Sequence, residues 1–126
     1  MDNLKARTMA EANKITDQMI DDVLCSAFEG GSTYWCGEVK MNDKTKMTGK
    51  AEYLSSAVSL GAVLAVQDTE GGEGRWLYLD KAKITKGIEA AAVHAGETVA
   101  HWYDNHDGEQ ADCALQFALF DELVYG

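Results

Sequence analysis

Ala62-Val-Leu-Ala-Val-Gln67 and Arg75-Trp-Leu-Tyr-Leu79, joined across Thr69-Glu-Gly-Gly-Glu-Gly74, set the frame for the rest of the chain. Two short runs rich in β-branched, aromatic and aliphatic residues flank a turn built from the one residue that accepts positive φ freely, which predicts a β-hairpin. Period-two alternation puts Leu77 and Leu79 on one face and Trp76 and Tyr78 on the other. Leu64 and Val66 are expected to pair with the leucine face.

Outward from the hairpin the pattern changes to a helical one. Ile15 to Phe28 carries the pairs Met19/Ile20, Val23/Leu24 and Ala27/Phe28 every four residues, one apolar stripe. Thr16 suits its N-cap, Asp17, Asp21 and Asp22 lie in its first turns, and Gly30-Gly31 ends it. After the hairpin, Asp80 caps a helix running to about Ala95 with Ile84, Ile88, Ala91 and Ala95 in one stripe and Gly96 closing it. The last helix, Gly108 to about Glu122, is apolar nearly all round, as a central helix is. Between these elements Ser32–Met41 fits a helical turn or a strand, Lys40–Lys50 reads as an exposed loop, and Glu52–Leu60 as a short helix closed by Gly61. Residues 1–14 read as a weakly held arm and 15–126 as a single α+β domain, a small antiparallel hairpin or sheet packed against about four helices. Trp35, the leucine face and the last helix are expected to share one core.

The chain has 126 residues, 11 Lys+Arg against 21 Asp+Glu and a formal charge of −10, with 46% apolar residues. That apolar share excludes a disordered acidic chain, and the charge speaks against wholesale binding to nucleic acid. No apolar run reaches the length of a membrane span, and Met1–Ala10 lacks a signal-peptide stretch, so a cytoplasmic setting without membrane association is expected. Three cysteines fit reduced thiols there; Cys25 and Cys113 read as buried in helix cores.

Charge is unevenly spread. Residues 1–63 sum to −2 and residues 64–126 to −8, and no Lys or Arg follows Lys86. Asp104, Asp107, Glu109, Asp121 and Glu122 are therefore candidates for an acidic partner-binding face, with a merely solvated surface as the plainer reading. Against it stands a small basic group, Arg75, Lys81, Lys83 and Lys86, at the hairpin end and the start of a helix. With Trp76 and Tyr78 beside it, this group is a candidate anion or nucleotide site. The alternative is a set of ordinary surface lysines.

Catalytic signatures are absent: Gly71-Gly72-Glu73-Gly74 leads into a strand rather than a helix, no Gly-x-Ser-x-Gly elbow occurs, and the cysteines lack zinc-site spacing. His101, Asp104 and His106 have metal-ligand or acid–base residue types, but Asn105 and Gly108 point to a polar turn leading into the last helix. No catalytic residue, metal or cofactor is expected, and the protein is not expected to be an enzyme. Asp112 and Gln116, four apart on the apolar last helix, need buried partners, which Tyr34, Trp35 or the backbone near Glu29-Gly-Gly could supply. They are read as structural first, with a polar floor to a binding cleft as the alternative.

Ile20-Asp-Asp-Val-Leu-Cys-Ser-Ala-Phe-Glu-Gly-Gly31, Tyr34-Trp-Cys36, Leu77-Tyr-Leu79, Lys86-Gly-Ile88, Gln110-Ala-Asp112, Leu115-Gln-Phe-Ala-Leu-Phe120 and Leu123-Val-Tyr-Gly126 together resemble a family of small phage and prophage proteins, from about residue 15 onward. The resemblance carries no functional residues. It implies a setting in which small acidic proteins without catalytic motifs serve as host-interaction factors, including inhibitors of bacterial immunity such as anti-CRISPR or anti-signalling proteins. Two modes of action are expected from it: an acidic decoy for a basic groove on a host defence protein, or sequestration of a small anionic nucleotide signal between subunits of a homo-oligomer. The alternative is a structural or housekeeping phage protein bound to another phage protein.

Overall fold

The structure, a computed structural model, describes residues 9–72 and 74–126. Of the arm expected over residues 1–14, residues 1–8 lie outside the described part; the Asn13 side chain accepts a hydrogen bond from the Val99 N–H at 3.2 Å. Helix α1 (Asp17–Ser26) starts where the Thr16 hydroxyl accepts from the Met19 N–H at 3.2 Å. It buries Ile20, Val23 and Leu24 and widens into a π-helical turn over Ala27–Gly31.

Three antiparallel strands follow, in the order β1 (Cys36–Asp43), β2 (Val63–Asp68), β3 (Arg75–Leu79). In the β2–β3 hairpin Leu64 faces Leu79 and Val66 faces Leu77, the pairing the alternation predicts. β1 corrects the expected loop: Lys40–Asp43 belong to a strand, and the exposed loop begins at Lys44. The lysine content hides a period of two. Val39 and Met41 lie opposite Val66 and Leu64 and face inward, while Lys40 lies opposite Ala65 and faces out. The ladder with β2 outweighs the local polarity.

Residues 52–60 form two 3₁₀ turns, Leu54–Ser56 and Val58–Leu60, in place of the expected helix. Gly61 at φ 110° ends the second one and lies against the Lys46 carbonyl, a conformation that breaks a longer helix.

Helices α2 (Lys81–His94), α3 (Val99–Asn105) and α4 (Gly108–Phe120) are capped by Asp80, Thr98 and Asp107, whose side chains accept from the third residue on. α3 replaces the polar turn expected over His101–Asp107; Val99 and Trp102, three apart, bury one side of it. α4 stops at Phe120, earlier than expected, because Asp121 takes up a left-handed conformation at φ 62°. α2 and α4 run close together at Gly87, where a Cβ would come within 2.3 Å of the Ala114 carbonyl oxygen.

The architecture is a two-layer α+β domain with the helices on one face of the sheet. Trp35, Leu64, Val66, Leu79, Ala111, Ala114, Leu115 and Ala118 share the core with Ile20, Leu24, Ile84, Ile88 and Trp102. Cys36 is the buried thiol; Cys25 and Cys113 are half-exposed, at the margins of their helical stripes rather than in the middle.

Candidate functional site

The π-helical turn at the end of α1 brings Gly31 against the N-terminus of α4. Its wide turn is closed by the Ser32 N–H donating to the Ala27 carbonyl at 2.8 Å, the kind of local irregularity that recurs at functional sites. A Cβ on Gly31 would stand 2.1 Å from the Gly108 carbonyl oxygen, so only glycine permits this approach. The chain then turns tightly, the Trp35 and Cys36 N–H groups both donating to the Ser32 carbonyl.

That turn aims three donors at one acceptor. The Ser32 hydroxyl donates to Asp112 at 2.7 Å, the Tyr34 hydroxyl at 2.6 Å and the Trp35 indole N–H at 2.7 Å. Gln116, one helical turn along α4, adds its amide at 2.9 Å. Asp112 is only 5% exposed, and its four donors replace the water it loses. The Gln116 amide oxygen accepts from the Val124 and Tyr125 N–H groups at 2.8 Å each, which ties the C-terminal segment to α4. Tyr125 stacks on Trp35 with centroids 5.6 Å apart, and its hydroxyl donates to the buried Asp68 at 2.9 Å. Both buried polar residues of α4 thus have the structural partners expected of Tyr34 and Trp35, with Ser32 and the Tyr125 backbone in addition.

The same groups also floor a cleft of about 750 Å³. Glu29 and Glu109 stand exposed at its rim, Asp112 and Gln116 lie beneath, Tyr34 and Tyr125 form walls, and no Lys, Arg or His lines it. Burial pushes the Tyr34 phenol up, and its hydrogen bond to Asp112 pushes it further, so the hydroxyl stays a donor. The Cys113 thiol in the same cleft is pushed up by burial and then by Asp112, Glu109 and Asp107, which leaves it a poor nucleophile at neutral pH. With Asp112 already met by four donors, it is the exposed rim carboxylates of Glu29 and Glu109 that suit binding of hydrogen-bond donors and cations.

Of the acidic candidates, Glu109 stands on this rim and Asp107 caps the same helix, while Asp104 lies exposed on α3. Asp121 and Glu122, also exposed, follow the other end of α4. Glu29 carries no mark in the charge distribution of the C-terminal half. The signal for it was an acid followed by two glycines at a helix end, with a buried polar pair elsewhere that needed partners.

The basic candidates do not converge. Arg75 points to the inner side of the sheet, 4.0 Å from Asp68 and over the Phe120 ring, while Trp76 and Tyr78 point outward. Lys81 pairs with Asp17 at 2.9 Å, the Lys83 ammonium donates to the Tyr78 carbonyl at 2.8 Å, and Lys86 is exposed on the next turn of α2. His101 pairs with Glu97 at 3.2 Å, and His106 stacks on Trp102 and Tyr103. Among the described residues no group of three His, Cys, Asp or Glu side chains is placed to hold a metal ion, and no helix is long and apolar enough to cross a membrane.

Comparison with known protein families, curated proteins and solved structures returns no match.

Proposed function

We propose that this chain is a phage-encoded binding protein that acts in the cytoplasm of the infected cell and counters a bacterial defence system by docking its acidic cleft face on a basic surface of a host protein. The observation that carries the reading is the cleft itself. A cavity of about 750 Å³ rimmed by Glu29 and Glu109, floored by Asp112 and lined by no basic residue favours a Lys- or Arg-bearing surface over an anion. The 40 residues after Lys86 without Lys or Arg extend that potential beyond the cleft. The phage setting rests on the sequence resemblance. Sequestration of a nucleotide signal by the basic group is the weaker alternative, because Arg75 and Trp76 face opposite sides of the sheet.

The test is a plaque assay in bacteria that carry a panel of immune systems and express the protein. Protection of a defence-sensitive phage is expected in at least one host and is expected to fall with the double variant Glu29→Gln/Glu109→Gln. Association with the partner from that host should slow as salt rises, since exposed charges steer the encounter. Failure to protect across the panel turns the reading toward a structural phage protein, and protection untouched by the double variant removes the cleft from it.

A further inference from the structure

The outer face of the sheet is the second surface with a chemical character of its own. All the helices pack on the inner face, and the outward row carries Lys40, Ala65 and Tyr78 in register, with Gln67 and Trp76 in the next row. Tyr78 is 49% exposed, Trp76 is half-buried, and the Lys40 ammonium sits 4.4 Å from the Trp76 ring centroid. Ala65 also points outward yet is 2% exposed, so its larger neighbours roof it and form a continuous shelf. Lys83 holds its ammonium at the β3 edge, on the Tyr78 carbonyl.

We infer that this shelf is a stacking platform for single-stranded nucleic acid, two or three nucleotides long, with Trp76 and Tyr78 under successive bases and Lys40 and Lys83 on the phosphates. Residues two apart on a strand are about 6.6 Å apart, close to the reach of one extended nucleotide step, and stacking on exposed aromatics is tolerant of sequence. A base over Trp76 displaces the Lys40 ammonium from the ring and frees it for the backbone. Size argues against a second copy of the chain. Three strands of about five residues cover roughly 250 Å², against the ~800 Å² per partner that a stable protein interface needs. Openness argues against a free nucleotide, which a pocket has to enclose. The −10 net charge does not forbid the contact. The acidic groups of α3 and α4 belong to the helical layer behind the sheet, and beyond a Debye length of about 8 Å exposed charges are largely screened at physiological salt.

Trp76 supplies its own probe, because Trp35 and Trp102 are 0% and 1% exposed. Titration with a twelve-residue oligothymidylate at roughly 50 mM salt, where phosphate contacts are strong, is expected to quench the Trp76 emission. Anisotropy of the labelled oligonucleotide gives a second reading, and Tyr78→Ala and Lys40→Ala should each weaken binding about tenfold. Both side chains are exposed, so circular dichroism should show both variants folded. Absence of quenching and of any anisotropy change overturns the inference. So does equal binding by Tyr78→Ala, by a duplex of the same length, whose base faces are closed, or equally tight binding of thymidine monophosphate. The Glu29→Gln/Glu109→Gln variant should bind the oligonucleotide undiminished, and loss of binding there overturns the placement on the sheet. Failure of this inference therefore leaves the acidic-cleft reading standing.

Discussion

The Asp112 carboxyl group is met by Ser32, Tyr34, Trp35 and Gln116, donors from two stretches of chain some eighty residues apart. Asp112→Ala leaves all four without their common acceptor, so it should lower stability by roughly 3 kcal/mol or more. Urea melts measure this; a loss below about 1 kcal/mol would mean that water enters and takes over the donors. The buried Cys36 and the half-buried Tyr103 add, with Tyr34, to the alkaline behaviour. Burial, followed by Asp112 and Asp68, pushes the Cys36 thiol up to about 11. The hydrogen bond to Asp22 pushes the Tyr103 phenol up to about 12, with burial adding to it. In the unfolded chain these groups ionise near 9 and 10, so above those values the unfolded state loses protons that the fold retains. Their contribution is whole below pH 9, falls as pH rises, and is gone once the folded groups ionise near pH 12. Urea midpoints measured from pH 8 to 12 should decline, and Tyr103→Phe should flatten the part above pH 10.

At the scale of elements, α4 is the piece on which the others depend. It packs along α2, meets the π-helical turn at Gly31 and carries both Leu115 and Asp112. Leu115 is fully buried, so Leu115→Ala should cost roughly 2–5 kcal/mol, whereas Lys44→Ala in the exposed loop should change stability by less than about 0.5 kcal/mol. Gly87→Ala tests the helix contact. Its new methyl would meet the Ala114 backbone at 2.3 Å and the Ala118 side chain at 2.8 Å, and forcing the helices apart should cost about 1–3 kcal/mol. Thermal or urea unfolding of the three variants, compared with the parent, checks the order. A Gly87→Ala protein as stable as the parent would mean that α2 slides along α4 without loss.

The whole molecule carries its charge unequally, with −8 of the −10 in residues 64–126. Like charges crowded on α3, α4 and the segment after α4 repel one another, and salt screens exposed charges. The thermal midpoint should therefore rise by a few degrees between about 20 and 300 mM salt, and calorimetry at the two conditions checks it. A midpoint that falls would mean that surface ion pairs such as Lys81–Asp17 outweigh the repulsion. By itself the sequence determined the α+β class, the β2–β3 register, two helix caps at Thr16 and Asp80, and the buried pair on α4. Each of these follows from local periodicity or from a side chain reaching its own backbone. The cap of α4 at Asp107 was seen only in the structure. The third strand was only half legible, with Ser32–Met41 fitting a turn or a strand and the stretch from Lys40 reading as a loop, because β1 gains its stability from β2, twenty residues on. The cleft and the shelf were decided only in three dimensions. Glu29 and Glu109 line one cleft, and Lys40 meets Trp76, because packing closes long loops, and no local pattern in a chain records which distant side chains that closure brings together.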